Sequence, residues 1–428
     1  MRFCHIEISE VPPPISIVTT LSVNGAFLKD EKYNALDKLS LFSGDPMECI
    51  ARLCKRYAIK TVVWNRCYEP WRMERDTKIK ASLVQKGIEV QTFNGSLLWE
   101  PWQVLKQDKS HYKVFTPFFR KGALMSAPPR EPLRQPESLA LFQDQKESVS
   151  LESLDLLPKH NWDKGLQTHW NIGEKGAWQA LDVFLKNGLS NYKKGRDFPA
   201  QKHFSQLSPH LHFGEISPNQ VWYSTLANRE DKDSDHFCSE LAWREFSYSQ
   251  LYFNPGLPSE NLQVKFNRFP WQENQSHLRA WQKGLTGIPM VDAGMRQLWQ
   301  TGFMHNRGRM IVASFLTKDL LIDWKLGERY FATKLVDCNI SANNGGWQWA
   351  AGTGTDAQPY FRIFNPWSQS LKFDPDCKYI KKWIPELKNE ENKHIHEWYK
   401  YHNNQIYPEP IIDHKEARKK ALELYKNL

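Results

Sequence analysis

No run of eighteen consecutive apolar residues occurs in the 428-residue chain, so the sequence offers no helix able to cross a bilayer. Pro12-Pro13-Pro14 interrupts the one apolar region near the N-terminus and removes the only candidate for a secretory signal. Cysteine is scarce: seven residues lie scattered with no Cys-x-x-Cys pair, which argues against a zinc site and provides no disulfide framework. A reducing cytoplasm is the expected compartment, and no metal is expected. Internal repeats are also missing, which excludes solenoids and propellers.

What the chain does have is positive charge and indole. A net charge of +9 with a pI near 9.0 suits a polyanionic partner, although basic solubility alone would produce the same number. Eighteen tryptophans exceed what core packing needs, and indoles stack on bases, stack on flat cofactors and relay electrons. The densest segment is Asp337-Cys-Asn-Ile-Ser-Ala-Asn-Asn-Gly-Gly-Trp-Gln-Trp-Ala-Ala-Gly-Thr-Gly-Thr-Asp356. A packed helix would replace the paired glycines, which cost about 1 kcal/mol each in a helix interior, and a surface loop would not carry two indoles. The segment therefore reads as backbone approaching a planar ligand, with Asn343 and Asn344 suited to left-handed geometry. Upstream, Asn306, Arg309 and Met310 fall at i, i+3 and i+4 and share one helix face, which offers an amide, a cation and a thioether together.

Patterning divides the chain. Leu39 to Phe42, Thr61 to Asn65 and Glu89 to Phe93 read as strands, with helices at Pro46 to Tyr57 and Trp71 to Lys86, an α/β arrangement with parallel crossovers. Residues 126–168, rich in proline and charge at their start, read as a linker. From 169 to 428 the chain turns helical, with clear periods at Glu174 to Asn187 and Met304 to Leu321. The expected architecture is α/β followed by all-α: a truncated Rossmann-like domain over 37–125, then a large helical domain.

Together with Asn191-Tyr-Lys-Lys-Gly-Arg-Asp-Phe-Pro199, Leu207-Ser-Pro-His-Leu-His-Phe-Gly-Glu-Ile-Ser217, Glu240-Leu-Ala-Trp-Arg-Glu-Phe246 and Tyr360-Phe-Arg-Ile-Phe-Asn-Pro366, these segments closely resemble the DNA photolyase and cryptochrome flavoprotein family, most of all its class I dimer photolyases. The resemblance runs from about Leu39 to the C-terminus. It implies light-driven repair of cyclobutane pyrimidine dimers in DNA, by electron transfer from reduced FAD held in the helical domain. A monomer is expected.

By that resemblance, Tyr192, Phe204, Ser205, Gln206, Leu207, Ser208, Phe237, Arg309, Asp337, Cys338, Asn339 and Asn343 bind the flavin nucleotide, with Asp337 pairing Arg309 and Asn343 near flavin N5. Ser208-Pro209 also reads as a helix N-cap followed by an N1 proline. Glu240, Trp243, Asn306, Met310 and Trp349 meet the dimer, and an apolar cavity around Glu240 would raise its pKa. An i,i+4 surface pair of Glu240 with Arg244 is the competing reading. Arg196, Arg244, Arg307, Arg362 and Gln369 are the implied DNA contacts, while Trp347, Trp324 and Trp271 match the electron relay.

Four positions depart from the family pattern. Phe204 replaces a phosphate-side threonine, Asn339 the second aspartate of Asp-x-Asp, Gly308 an aliphatic residue and Phe303 a tryptophan. Asn339 is expected to accept one hydrogen bond and to remove a charge, and Gly308 to loosen its helix. Residues 1–36 match nothing in the family pattern, whose first strand is missing. Either Pro14 to Val23 substitutes for it, being β-branched enough, or the α/β domain is damaged. The second chromophore stays open: Trp71-Arg72 stands where folate binders carry Asn-Glu, so a folate antenna is not expected. Two rival functions remain, a cryptochrome-like blue-light receptor and a non-catalytic DNA-binding relic.

Overall fold

The computed structural model describes residues 40–134, 146–356, 359–402 and 407–428, with 3–10 and 16–21 as backbone. Contacts divide the chain into two compact units, Met1–Leu98 with Pro129–Asp163, and Trp99–Pro128 with Lys164–Leu428.

The first unit is built on a five-stranded sheet. Strands β1 (Phe3–Glu10), β2 (Ser16–Leu21), β3 (Ser40–Ser43), β4 (Thr61–Asn65) and β5 (Glu89–Phe93) lie in the order β3-β2-β1-β4-β5. β4 is parallel to β5 and to β1, while β2 runs antiparallel to β1 and β3. The segment expected to substitute for the missing strand does pair with β3, through Ile17↔Ser43 to Thr20↔Ser40, but antiparallel. The central place goes instead to β1, which the sequence reading did not identify as a strand.

Helices α1 (Pro46–Tyr57) and α2 (Pro70–Gln85) complete this unit. Asp45 caps α1 by accepting the Glu48 amide, and Ala58 in left-handed geometry closes it. Ile50, Leu53, Ile79 and Leu83 are buried with Val62 and Trp64, each contributing about 1.5–3 kcal/mol of burial for the large aliphatics. The expected linker packs here in part, where Glu147 pairs with Arg52 and Arg56 and the Val149 amide donates to the Leu41 carbonyl.

Trp99–Pro128, expected in the α/β domain up to Met125 and as linker beyond it, belongs to the helical unit. The reason is aromatic: Phe115 stacks on Trp243 at 3.8 Å, and the Trp99 amide donates to the buried Glu245 carboxylate. The main helices of this unit are α3 (Glu174–Asn187), α4 (Lys232–Phe253), α5 (Asn306–Ser314), α6 (Trp324–Lys334), α7 (Ile340–Ala351) and α8 (His414–Lys426). A π-helical turn, Phe315–Asp319, continues α5.

The helical core closes around tryptophan. Gly327 on α6 lets the Trp347 indole lie so close that an added Cβ would sit 2.2 Å from the ring and 2.6 Å from Leu316. Alanine in place of a helical glycine normally gains up to about 1 kcal/mol. At this site overpacking, about 1–3 kcal/mol, outweighs that gain. Gly327→Ala is therefore expected to lower stability, read from denaturant midpoints at unchanged slope; a stabilised variant would show that the Trp347 contact is loose.

Candidate functional site

Three helices of the second unit are amphipathic in an unusual sense, since each keeps a partly open stripe inside a packed domain. On α4 the stripe is His236, Glu240, Trp243, Arg244 and Ser247; on α5 it is Asn306, Arg309 and Met310; on α7 it is Ala342, Gly345, Gly346 and Trp349. All follow the i, i+3, i+4 rule. α7 packs against both of the others. A Cβ on Gly345 would lie 3.7 Å from Ser247 Oγ, so the α7 and α4 stripes adjoin, while a Cβ on Gly346 would meet nothing within 4 Å.

α7 is a regular helix through both glycines, and Asn343 and Asn344 are helical within it, so the expectation that such a helix would exclude the glycines fails. The glycines strip one face of α7 to bare backbone. Asn343 Nδ2 donates to Glu328 Oε1 at 2.8 Å, and Asn344 Nδ2 donates to the Ile340 carbonyl at 2.9 Å. Glu328, whose carboxyl is raised by burial, escaped the sequence reading.

Asp337 joins the segments. Ser208 Oγ donates to its Oδ2 at 2.6 Å and Arg309 Nη2 at 2.8 Å, while the buried Oδ1 has no partner. Arg309 is held a second time, since its Nε donates to the Met304 carbonyl at 2.8 Å, and its guanidinium lies 5.3 Å above the Phe303 ring. The N-cap reading of Ser208 does not hold: its hydroxyl goes to Asp337, and the short helix Ser208–His212 has no side-chain cap. Ser205 Oγ accepts from the Leu207 amide, Gln206 adopts φ 56°, and Leu207 is buried.

Asn339 caps α7. Its Oδ1 accepts from the Ser341 and Ala342 amides and from Ser341 Oγ, and its Nδ2 donates to Tyr248 Oη. That is three acceptances where one was expected, and the donation is one that an ionised aspartate could not make. Cys338 is half-buried, and desolvation pushes its thiol up to about 11. Gly308 is buried within a continuous helix, and a Cβ there would meet Met304 at 3.0 Å. Phe204 and Phe303 stack at 6.2 Å, and Trp170 meets Phe303 edge-on at 5.8 Å, so these two departures fill one another's space.

Tyr192 and Phe237 are core residues, their rings 5.3 Å apart and both against Phe184. Glu240 does not sit in an apolar cavity, nor does it pair with Arg244. It forms an ion pair with Arg196, with His236 Nε2 3.9 Å away. Arg244 pairs with Glu245 at 3.0 Å and lies 4.9 Å above Tyr248. Arg307 Nη2 donates to Asp197 at 2.6 Å, with its guanidinium 4.1 Å above Phe373. Arg362 is exposed, and Gln369 has a buried amide oxygen without a partner. Asn306 Nδ2 faces Met310 Sδ at 3.8 Å.

The relay candidates are graded in exposure. Trp347 and Trp324 are buried, the latter donating through Nε1 to Asn261 Oδ1 at 2.8 Å, and Trp271 is half-buried, 4.5 Å from Phe269.

His305 caps α5, its Nδ1 accepting the Arg307 amide at 3.1 Å. Burial first, then the neighbouring Arg196 cation, push it from 6.5 down to about 3. Because the folded value lies below the unfolded one, its contribution to stability is complete above pH 6.5 and drains as pH falls towards 3. His305→Asn keeps a cap acceptor and cannot titrate. Its stability, relative to wild type, should therefore rise as pH falls through that window, measured by urea unfolding at several pH values; a pH-independent difference would contradict the assignment.

The chain matches the model for the FAD binding domain of DNA photolyase over residues 237–427 and the DNA photolyase model over 30–137. It is 43% identical over 414 residues to a deoxyribodipyrimidine photo-lyase of Agrobacterium fabrum, covering 94% of this chain and 86% of the relative. Among solved structures it is similar to a bacterial class III photolyase from Agrobacterium tumefaciens, at 43% identity and a TM-score of 0.86 over 90% of this chain and 82% of that one. The cryptochrome of Synechocystis sp. PCC6803 is also similar, at 28% identity and a TM-score of 0.76 over 90% and 83% of the two chains. The class I likeness expected from the motifs gains no support from a 43%-identical structure of class III.

Proposed function

Because the chain belongs to the DNA photolyase family, we propose that it repairs cyclobutane pyrimidine dimers in DNA with light, through the open stripes of α4, α5 and α7. It is a flavoenzyme of DNA repair, a deoxyribodipyrimidine photo-lyase, and its cofactor is FAD. The observation that supports this reading best is the meeting of those stripes beside a buried, half-satisfied carboxylate.

The residues present fit FAD. Asp337 Oδ1 is a buried acceptor without a protein donor, and the bare backbone at Gly345 and Gly346 admits a flat group at van der Waals distance. Asp337, Arg309, Ser208 and Asn343 would hold the flavin, with Ser205 and Gln206 towards the diphosphate. When bound, reduced and excited, FAD supplies the electron that splits the dimer.

The protein groups position and stabilise. Trp243 and Trp349 present aromatic faces to the bases, and Asn306 offers amide hydrogen bonds. Glu240, freed once Arg196 turns to a phosphate, accepts from a thymine N3–H, and Met310 fills the remaining apolar contact. Photolyases act on a nucleotide taken out of the duplex stack, so Arg196, Arg307 and Arg362 hold the strand while the dimer enters. A monomer in the cytoplasm is the working state. No helix among the described residues is long and apolar enough to cross a membrane.

The decisive experiment is an absorption spectrum of the purified protein followed by illumination with an irradiated oligonucleotide. Flavin bands with light-dependent loss of dimers support repair; bands without loss would leave the photoreceptor, and no bands the relic. Glu240→Gln should keep the flavin bands and lower the repair yield by roughly an order of magnitude, the scale of one charge-assisted hydrogen bond to the base. Colour loss in that variant would move Glu240 to the cofactor. Trp347→Phe should block photoreduction of oxidised flavin and leave repair by chemically pre-reduced protein intact; photoreduction at the wild-type rate would place the relay elsewhere.

A further inference from the structure

Lys318 is a lysine with no exposed surface, in the π-helical turn that ends α5. π-turns inside helices are rare and concentrate at functional places. Burial pushes the amine down to about 7, so the fold bears a cost that a methionine of similar shape would not impose. The return is visible in its contacts: Nζ donates to the Arg362 carbonyl at 3.1 Å and lies 5.4 Å from the Tyr360 ring centroid.

The same strip of chain is tied down at two further places. Ser314 Oγ accepts the Phe364 amide at 3.4 Å, and Tyr360 stacks on Tyr425 of α8 at 4.7 Å. Beside Lys318, the buried Asp319 pairs with His414 at the start of α8, fixing the helix that supplies Tyr425. Between these anchors Phe361, 58% exposed, and the exposed Arg362 project outward. The backbone is thus fixed from beneath while two side chains suited to nucleic acid, a cation and an aromatic ring, face solvent.

We propose that Lys318 is a positioning residue for DNA binding, holding the Arg362 carbonyl so that Arg362 and Phe361 are presented to the strand in a fixed geometry. This rests on the reading that Arg362 meets a DNA phosphate. Lys318 itself reaches no phosphate. An arginine on a loose loop would have to be ordered at the moment of binding, an entropic cost that a pre-set carbonyl anchor removes.

The test is a double-mutant cycle on affinity for a dimer-containing duplex, with Lys318→Met, Arg362→Ala and the pair. Lys318→Met should weaken binding about tenfold and make the salt dependence shallower by about one unit, as Arg362→Ala does, with little further loss when the two are combined. The loss should appear in KM and not in repair yield at saturating DNA. Lys318→Gln, which can still donate to the carbonyl, should recover most of the affinity. Should Lys318→Met fail to fold by its flavin spectrum and melting curve, Ser314→Ala removes the second anchor and should show the same non-additivity with Arg362→Ala at smaller size. Additive losses, or wild-type affinity in Lys318→Met beside a weakened Arg362→Ala, overturn the proposal. Wild-type affinity in Arg362→Ala overturns the phosphate reading itself, and the proposal with it.

Discussion

The helical unit depends on one carboxylate. Asp337 takes a hydrogen bond from Ser208, far upstream, and another from Arg309 in the middle of α5's open stripe. Through it the segment before α7, the Ser205–Ser208 strip and α5 are locked in one arrangement. Its second oxygen is left buried without a donor, which costs about 1–3 kcal/mol in a protein that keeps nothing there. A fold organised only for stability would put an amide or an apolar residue at that position. On the reading that Asp337 holds the flavin, the ligand completes that hydrogen bonding, and Arg309, fixed by Asp337, Met304 and Phe303, is aimed before it arrives.

How far the sequence could be read varied with the kind of signal. Local periodicity carried the helix at Pro46–Tyr57, the strands at Thr61–Asn65 and Glu89–Phe93 and the helix at Glu174–Asn187 to the residue: the first helix opens on a cap and a proline, Thr61–Asn65 is a compact apolar run, and glycines flank the other two. The glycine pair of α7 misled because propensity is a local quantity and the advantage of a bare helix face is tertiary. β1 was passed over because its residues match no family motif, although Ile6-Glu-Ile8 alternates as a strand should. The pairings Arg196–Glu240 and Arg307–Asp197 lay beyond reach, because nothing in the spacing of such residues says which cation meets which carboxylate.

The four departures from the family pattern look like losses when each is taken alone. In the structure they are compensated by neighbours. Phe204 and Phe303 lean on each other and Phe303 on Trp170, Asn339 satisfies three donors and finds a fourth partner in Tyr248, and Gly308 makes room for Met304, whose carbonyl steadies Arg309. Substitutions that decay had accumulated would leave cavities around them. These are instead embedded in close packing, which weighs against the relic.

Two of the cations expected to meet DNA are, in the protein alone, occupied by a carboxylate: Arg196 by Glu240 and Arg307 by Asp197. On the reading that both arginines meet phosphates, binding is an exchange of anionic partners. Neither guanidinium passes through an unpaired state, so the desolvation penalty of a lone buried charge is avoided. The carboxylate displaced from Arg196 is Glu240, the group assigned to the dimer. An arginine that stays paired keeps that carboxylate occupied, and an arginine that takes a phosphate frees it. Strand capture and preparation of the lesion contact thus follow from one ion pair, and undocked protein keeps its reactive carboxylate closed.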